Sequence, residues 1–243
     1  MNIRNTGLVL RELNGVAELK NAELFQKEIW GKDDPPDNSD ILLAIQHEGG
    51  LVAGAFIDDR MLGFLFGFPT SQCHVQHSHR LAVHPDSRGM GLGVKLKWYQ
   101  RNWCLDRGIT HVRWTYDPLR RINAGLNVSR LGGTANTYHM DYYGQMVGIN
   151  AGVPSDRLVI DWDLNSPHVE ALATRMDLPQ SLLRDESLTV EIPRDLDELL
   201  ASNLDLAISE RLRVREELTS AFAEGYRISG FDAETCCYLL SKS

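Results

Sequence analysis

One stretch, residues 81–107, constrains the fold of this chain more than any other. It reads LAVHPDSRGMGLGVKLKWYQRNWCLDR and combines a short alternating segment, a glycine-rich turn and a segment with helical periodicity. Pro85 ends the alternating segment because it cannot donate to a β-ladder. Gly89, Gly91 and Gly93 follow, and each can take the positive φ that other residues avoid. The stretch therefore predicts a strand, a tight loop and a long helix, in that order.

The predicted helix begins where an anion would bind. Its apolar stripe has spacings of four, three and four residues and consists of Leu92, Leu96, Tyr99 and Trp103. The helix ends at Arg107-Gly108, a basic last turn with a glycine cap. The first N–H groups of any helix lack partners within it, and its dipole is positive there. The loop and the helix start therefore predict an anion site, most often a phosphate site.

Other phosphate-binding motifs fit the loop less well. A Walker loop requires Gly-Lys-Ser/Thr, whereas this chain has Gly93-Val94-Lys95. A dinucleotide fingerprint requires a third small residue, and this chain has Val94 or Leu96 there. Asp117, at the end of the next predicted strand, matches the ribose-binding acid of that fingerprint, so the dinucleotide alternative stays open. A turn whose glycines serve packing alone is a further alternative.

Composition and charge narrow the class of partner. The formal net charge of -8 gives no electrostatic footprint for nucleic acid. The most apolar segment, Met61–Pro69, is too short to span a bilayer. No basic start with a long apolar core is present, so we expect no signal peptide and no membrane partner. The cysteines Cys73, Cys104, Cys236 and Cys237 lack zinc-ribbon or redox-motif spacing, which indicates a reduced, cytoplasmic protein.

The remaining pattern predicts a mixed α/β domain followed by a region of different character. Strands are expected over 8–13, 51–57, 61–68, 111–116, 134–143 and 158–164, and a helix over 120–131. After residue 165 we expect a strand over 188–192, a charged helix over 204–224 and a hairpin over 226–231 and 236–240. We therefore divide the chain into a domain over 1–165 and a C-terminal α+β extension over 166–243. The apolar faces of this extension are expected to pack on the domain or on a partner subunit in a homodimer.

The loop resembles the signature of a known family. The run VHPDSRGMGLG is similar to the coenzyme A motif R/Q-x-x-G-x-G/A of the GNAT superfamily of N-acetyltransferases, here Arg88, Gly91 and Gly93. The order of predicted elements matches as well, over roughly residues 8–164. The runs WTYDPL, NAGLNVSRLG and YYGQM resemble a bacterial and archaeal branch of predicted acetyltransferases. The resemblance implies an α/β (α+β) fold with a splayed, mixed and largely antiparallel sheet flanked by helices.

The same resemblance implies an activity and a cofactor site. It implies an acetyl-CoA-dependent N-acyltransferase that moves an acetyl group to an amine of a small molecule or peptide, by direct transfer in a ternary complex. Pantetheine would pair with Leu81, Ala82 and Val83. The pyrophosphate would be held by Arg88, Gly89, Met90, Gly91, Leu92, Gly93 and Val94, with Asn123 and Asn127 as further cofactor contacts. A transferase of a longer acyl group and a CoA-binding regulatory module without turnover remain alternatives.

Two histidines are candidates for the catalytic base. In His77-Ser78-His79 the two imidazoles share one strand face, because side chains of a strand alternate between faces. The pattern H-x-H-x-L-A-V resembles the arylalkylamine acetyltransferases, which implies that His77 and His79 take the proton of the amine, directly or through water. An unperturbed imidazole titrates near pH ~6.5 and would set the acidic limb of activity there. The alternative is that both are polar residues without a catalytic role.

A metal site is a further alternative. Four histidines lie close in sequence: His74, His77, His79 and His84. Protein zinc sites place such ligands at set spacings with thiolates or carboxylates. No carboxylate or thiolate is grouped with these histidines at metal-motif spacing, so we expect no metal.

The general acid is not identified by the sequence. Relatives of the signature family often carry a tyrosine on the helix after the fifth strand, three residues before a Leu-Gly pair. Counting back from Leu131-Gly132, that position is Val128. Either Tyr138, Tyr142 or Tyr143 supplies the proton, or the thiolate leaves without help.

Overall fold

The structure is a computed structural model that describes residues 7–31, 34–144, 152–174 and 188–242. The chain forms two compact units, Met1–Val112 and Arg113–Ser243. Each unit combines strands with helices, and the strand pairings are antiparallel within the first unit and across most of the second. The predicted fold class, a mixed and largely antiparallel sheet flanked by helices, is confirmed.

The first unit contains a four-stranded antiparallel sheet and three α-helices. Its elements are β1 (Leu8–Glu12), α1 (Gly15–Trp30), α2 (Ser39–His47), β2 (Leu51–Ile57), β3 (Arg60–Pro69), β4 (Val75–Val83), a 3-10 turn (Pro85–Ser87) and α3 (Leu92–Leu105). The strands lie in the order β1-β2-β3-β4. The β2–β3 hairpin turns at Asp58, whose φ of +52° lies in the left-handed region that Asp tolerates better than most residues.

Strands β2 and β3 are buried on both faces, which explains why their sequences are apolar almost throughout. On one face, α1 and α2 pack on the sheet in a cluster that includes Leu19, Phe25, Leu42, Val52 and Phe64. On the opposite face, Gly63 of β3 lets Leu96 of α3 approach closely, because a Cβ at residue 63 would lie 2.9 Å from the Leu96 Cδ1. The apolar stripe predicted for α3 therefore faces the sheet.

The second unit takes most of β5 and everything after it. Its elements are β5 (His111–Tyr116), α4 (Arg121–Ala124) with a π-helical continuation (Gly125–Arg130), β6 (Thr134–His139), β7 (Arg157–Asp163), α5 (Pro167–Thr174), β8 (Leu188–Glu191), α6 (Leu196–Ser202), α7 (Leu204–Ala223), β9 (Tyr226–Asp232) and β10 (Cys237–Lys242). The strand order is β5-β7-β6-β9-β10-β8.

Residues after 165 are joined to residues 113–165 within this unit. Strand β9 pairs with β6 at Ile228 and Ala135. The Tyr238 hydroxyl donates to the Pro118 carbonyl oxygen at 2.6 Å. The C-terminal strands therefore complete the sheet of the second unit. The division into a domain over 1–165 and an extension over 166–243 remains a prediction about independent domains.

Several local expectations differ from the structure. The helix expected over 120–131 is a single turn, α4, followed by a π-helix. Strand β6 ends at His139 rather than at residue 143. Helices α5 and α6 were not expected, because seven or eight residues are too few to establish a helical period. The C-terminal hairpin is confirmed as β9 and β10.

Candidate active site

The two candidate histidines lie on one face of β4. The ring centroids of His77 and His79 are 5.7 Å apart, as the period of two residues predicts. The residues between and before them, Ser78 and Gln76, are buried on the opposite face. Strand β4 thus separates a histidine face from a buried polar face.

A β-bulge lies at this pair of histidines. In the pairing of β3 with β4, Phe66 is opposite Arg80, whereas the next residue, Gly67, is opposite Ser78. His79 is therefore the extra residue on β4. A bulge bends the strand and redirects its side chains, so the direction of the His79 ring depends on how β4 is held here.

Aromatic rings partly desolvate both histidines. Phe68 stacks on His77 with centroids 4.9 Å apart, and Phe66 lies 5.2 Å from His79. Burial, with help from the His79 and Lys97 charges, lowers the pKa of His77 to about 4. Burial also lowers the pKa of His79, although the Asp37 carboxylate opposes the shift. Both imidazoles are therefore neutral at pH 7, and the acidic limb expected near pH ~6.5 moves to lower pH.

The glycine loop connects this strand to α3 with the geometry of an anion site. Gly89 has φ +83°, and Gly91, the N-cap of α3, has φ +66°. A Cβ at either position would meet no atom within 4 Å, so the backbone conformation requires glycine and packing does not. The alternative that these two glycines serve packing alone is therefore wrong.

The first turn of α3 has no side-chain cap. Gly91 makes no capping hydrogen bond, and the first helical bond runs from the Lys95 N–H to the Gly91 carbonyl oxygen at 3.1 Å. The amides from Gly91 to Val94 precede that bond and lie at the positive end of the dipole. They form the donor set that the sequence predicts for a phosphate group.

The turn before the loop is fixed by its own contacts. The Asp86 N–H donates to His84 Nδ1 at 3.1 Å, and the Ser87 hydroxyl donates to the His84 carbonyl oxygen at 2.7 Å. Arg60 of β3 pairs with the Asp86 carboxylate at 2.8 Å. The loop therefore leaves β4 from a braced turn, and Arg88 follows with an exposed side chain.

Asn123 and Asn127 lie in the second unit. Asn123 is exposed on α4. Asn127 is buried in the π-helix, where its backbone carbonyl oxygen accepts from the Gly133 N–H at 3.0 Å. Val128, at the position of the family tyrosine, is buried. It cannot donate a proton, so the general acid is not at this position.

The tyrosines proposed as acids have other partners. The Tyr138 hydroxyl donates to the Asp156 carboxylate at 2.7 Å, and burial raises the pKa of Tyr138 far above its usual value. Tyr143 contacts the Thr115 hydroxyl at 3.3 Å, and Tyr142 stacks on His139. Tyr138 is therefore a poor proton donor, and the two exposed tyrosines remain candidates.

The rival dinucleotide interpretation loses its support. Asp117 forms a two-pronged ion pair with Arg211, at 3.0 and 2.8 Å, so its carboxylate is not placed for a ribose. The strands of the first unit are antiparallel, whereas a dinucleotide fold needs parallel strands. Within the described residues, no three or more His, Cys, Asp or Glu side chains are grouped to hold a metal ion.

Two sets of residues near β4 were not anticipated from the sequence. Arg80 pairs with Asp34 at 2.9 Å and with Asp37 at 2.8 Å, and lies over the Trp30 ring. These contacts fasten the segment before α2 beside His79. The second set, on the buried face of β4, centres on Lys97, which is 2% exposed. Lys97 falls beside the apolar stripe of α3, and its sequence position alone gives no signal of burial.

Comparison with known proteins agrees with this geometry. Residues 15–124 match the model of the acetyltransferase (GNAT) family. No curated protein matches the chain. The structure is similar to that of the ribosomal-protein-S18-alanine N-acetyltransferase of Escherichia coli, with a TM-score of 0.55, 16% identity, and 65% of this chain and 95% of that chain covered.

Two further solved structures show the same fold. An aminoglycoside 6'-acetyltransferase type Ii has a TM-score of 0.54 and 14% identity, with 65% of this chain and 98% of that chain covered. A putative acetyltransferase of Salmonella typhimurium, solved with its cofactor acetyl-CoA, has a TM-score of 0.53 and 18% identity, with 65% and 95% covered. At these identities the likeness establishes the fold.

Proposed function

We propose that this protein, whose residues 15–124 match the model of the acetyltransferase (GNAT) family, is an acetyl-CoA-dependent N-acyltransferase. It moves an acetyl group to the amine of a small molecule or peptide by direct transfer in a ternary complex. The observation that carries the proposal is the continuity of β4, the braced turn, the glycine loop and α3. This one segment brings a pair of neutral imidazoles and an uncapped helix start into a single structural unit.

The residues present fit coenzyme A in chemical terms. The uncapped amides from Gly91 to Val94 suit a pyrophosphate, because they supply several N–H donors without a competing side chain. The space over Gly89 and Gly91 is open. When bound, acetyl-CoA supplies the activated acetyl thioester. The strand residues Leu81 to Val83 remain the proposed partners of pantetheine, as do Asn123 and Asn127 for the cofactor.

The histidines would act on the amine. An ammonium group is not nucleophilic, so a base must take its proton before or during attack. His79 is the more exposed of the two and lies at the bulge, and His77 lies 5.7 Å from it. Both are neutral at pH 7 and can accept a proton. We assign His79 to the acceptor side and His77 to a short relay behind it.

A specific observation favours a second candidate, a CoA-binding module without turnover. The position of the family's general acid holds Val128, which is buried. Such a module would keep the anion loop but release no thiol. A transferase of a longer acyl group is a variant of the first candidate with the same site.

The decisive experiment measures thiol release from acetyl-CoA with pooled amines: polyamines, arylalkylamines, amino acids and peptides with free N-termini. Steady release that depends on both enzyme and amine is expected. Binding of acetyl-CoA without release in any pool would support the module instead. Comparison of acetyl-, butyryl- and octanoyl-CoA with the best amine determines the acyl length.

The setting of this activity is also a proposal. In the described part of the chain, no helix is both long and apolar enough to cross a membrane. The acidic net charge of -8 disfavours a nucleic-acid partner. A cytoplasmic location and a homodimer remain predictions, and size-exclusion chromatography with light scattering measures the latter.

A further inference from the structure

A buried hydrogen-bond network joins α3 to the face of β4 opposite the histidines. The Lys97 amine donates to the Ser78 hydroxyl at 3.1 Å and to Gln100 Oε1 at 2.7 Å. The Gln100 amide donates to Gln76 Oε1 at 2.6 Å, and the Cys104 thiol contacts the same oxygen at 3.5 Å. All five residues are buried. Polar groups of this kind are costly to bury unless they are paired, so the presence of the network calls for a functional explanation.

The network contacts the residues of β4 on both sides of His77. Gln76 precedes His77, and Ser78 lies between His77 and His79. Two side chains of α3, Gln100 and Lys97, therefore bond to the side chains of the residues immediately before and after His77. The register shift between β3 and β4 occurs at the same point. Since a bulge interrupts the ladder, hydrogen bonds from α3 supply the restraint that regular strand pairing would otherwise give.

The charged groups that face Lys97 are few. Strand β2 carries no titratable side chain, and the one cation of β3, Arg60, is paired with Asp86. Strand β4 supplies His77, His79 and Arg80, of which His77 feels the Lys97 charge. Helix α3 itself supplies Arg101, one turn after Lys97 and also buried, and Cys104, whose thiol stays protonated because burial raises its pKa to about 12. Lys97 is thus the main variable charge behind the histidine pair.

We propose that Lys97, acting through Ser78 and Gln100, is a positioning residue for the base of this acyltransferase. From the buried side of β4 it holds the strand at the bulge and so fixes the direction of the His77 and His79 rings. This inference rests on the proposed function, in which those rings take the proton of the amine. Lys97 itself touches neither substrate nor cofactor.

The protonation state of Lys97 gives this role a measurable signature. Burial lowers the pKa of Lys97 to about 7, so below pH 7 the amine is an ammonium while His77 is still neutral. That positive charge helps to keep the pKa of His77 low. Removal of the charge must therefore raise the pKa of His77 and move the acidic limb of activity to higher pH. A buried lysine whose charge does not reach His77 would not move that limb.

Two substitutions separate the hydrogen bond from the charge. Lys97→Met has a similar length and removes both, whereas Lys97→Gln removes the charge but keeps an N–H donor toward Ser78. Lys20→Met on the exposed face of α1 makes the same chemical change far from the site and is the matched control. For each protein we measure thermal unfolding, the pH dependence of kcat and of KM for the amine and for acetyl-CoA, and the imidazole titrations of His77 and His79 by NMR.

We expect K97M to lower kcat about tenfold or more with little change in KM for acetyl-CoA, because small displacements of a base cost rate. K97Q is expected to recover most of kcat. Both variants should raise the pKa of His77, and K20M should change neither quantity. If K97M does not fold, the test rests on K97Q alone, through its His77 titration and the acidic limb of its pH–activity profile. A His77 titration and an acidic limb unchanged in the folded variants would overturn the proposal.

The NMR titration also separates this inference from the proposed function. If no amine supports turnover in the unmodified protein, the proposed function fails, but the His77 titration in K97Q still reports whether Lys97 controls that imidazole. If turnover is present and the titration is unchanged, the positioning role fails while the acyltransferase stands.

Discussion

The anion loop can be tested by a single charge at Gly91. Gly91 has φ +66° and its side-chain direction is open. Gly91→Glu and Gly91→Gln cost the same backbone strain, about 1 to 2 kcal/mol for a residue held in the left-handed region. A carboxylate at a helix N-terminus offsets about 0.3 to 1 kcal/mol of that strain. Both variants should therefore fold, and they differ in charge alone.

The difference in acetyl-CoA affinity between the two variants reports whether a phosphate charge lies at this loop. Two unit charges about 4 Å apart repel by roughly 4 kcal/mol at an effective dielectric of 20. Exposure and salt reduce this to about 2 to 4 kcal/mol, or roughly 30- to 1000-fold in Kd. Isothermal titration calorimetry with acetyl-CoA should thus show G91E weaker than G91Q by that factor, and less so at high salt. Equal affinities for the two variants would refute the assignment of pyrophosphate to this loop.

Three further predictions test the base, the C-terminal strands and a buried ion pair. His77→Ala and His79→Ala should each lower kcat by roughly 10- to 100-fold, with acetyl-CoA affinity preserved. The double variant should lose less than the product of the two single losses, because relay members act as a unit. Wild-type kcat in both single variants would show that the base lies elsewhere. The acidic limb should lie below pH ~6.5, because burial lowers the pKa of both imidazoles. Truncation after Leu164 should give an insoluble chain, since it removes β9 from β6 and Tyr238 from Pro118; a soluble, fully active fragment on size-exclusion chromatography contradicts this. Arg211→Met removes the two-pronged partner of the largely buried Asp117 carboxylate and should cost about 3 kcal/mol in urea unfolding. Arg213→Met on the same helix should cost less, about 1 kcal/mol, because its ion pairs are partly exposed.

The parts of the fold that the sequence predicted are those set by neighbours in the chain. Pro85, the glycines of the loop and the stripe of α3 act within a few residues of themselves, so the strand, loop and helix could be placed from them. The common face of His77 and His79 follows from the strand period alone.

The parts that were missed depend on distant partners. A period near four residues does not separate an α-helix from the π-helix at Gly125–Arg130, since the two differ in which carbonyl accepts each N–H. The bulge at His79 arises from the register with Phe66 and Gly67 of β3, and no local signal marks it. The lowered pKa of His77 also depends on β3, because Phe68 of that strand stacks on the His77 ring.

Lys97 is the strongest case of this kind, and its burial predicts a distinctive pH dependence of stability. Its pKa is lowered from 10.5 to about 7 in the folded protein, so between those values the unfolded chain binds more protons. Stability should therefore rise with pH from about 7, with a slope approaching 1.4 kcal/mol per pH unit. The raised pKa of Cys104 acts in the opposite direction from about pH 8 upward, where an unfolded thiol begins to ionise. Cys104 is present in the wild type and in K97M alike, so its contribution cancels in their difference.

The window from pH 7 to pH 9 thus isolates the lysine. Over those two units the wild-type protein should gain about 2 to 3 kcal/mol relative to K97M in urea unfolding. The variant lacks the titrating amine, so its curve should be flatter, while K20M keeps Lys97 and should follow the wild type. A wild-type curve parallel to that of K97M would mean that Lys97 keeps its charge when folded. The buried amine could then not act as a variable charge behind His77, and its hydrogen bonds to Ser78 and Gln100 would be the whole of its role.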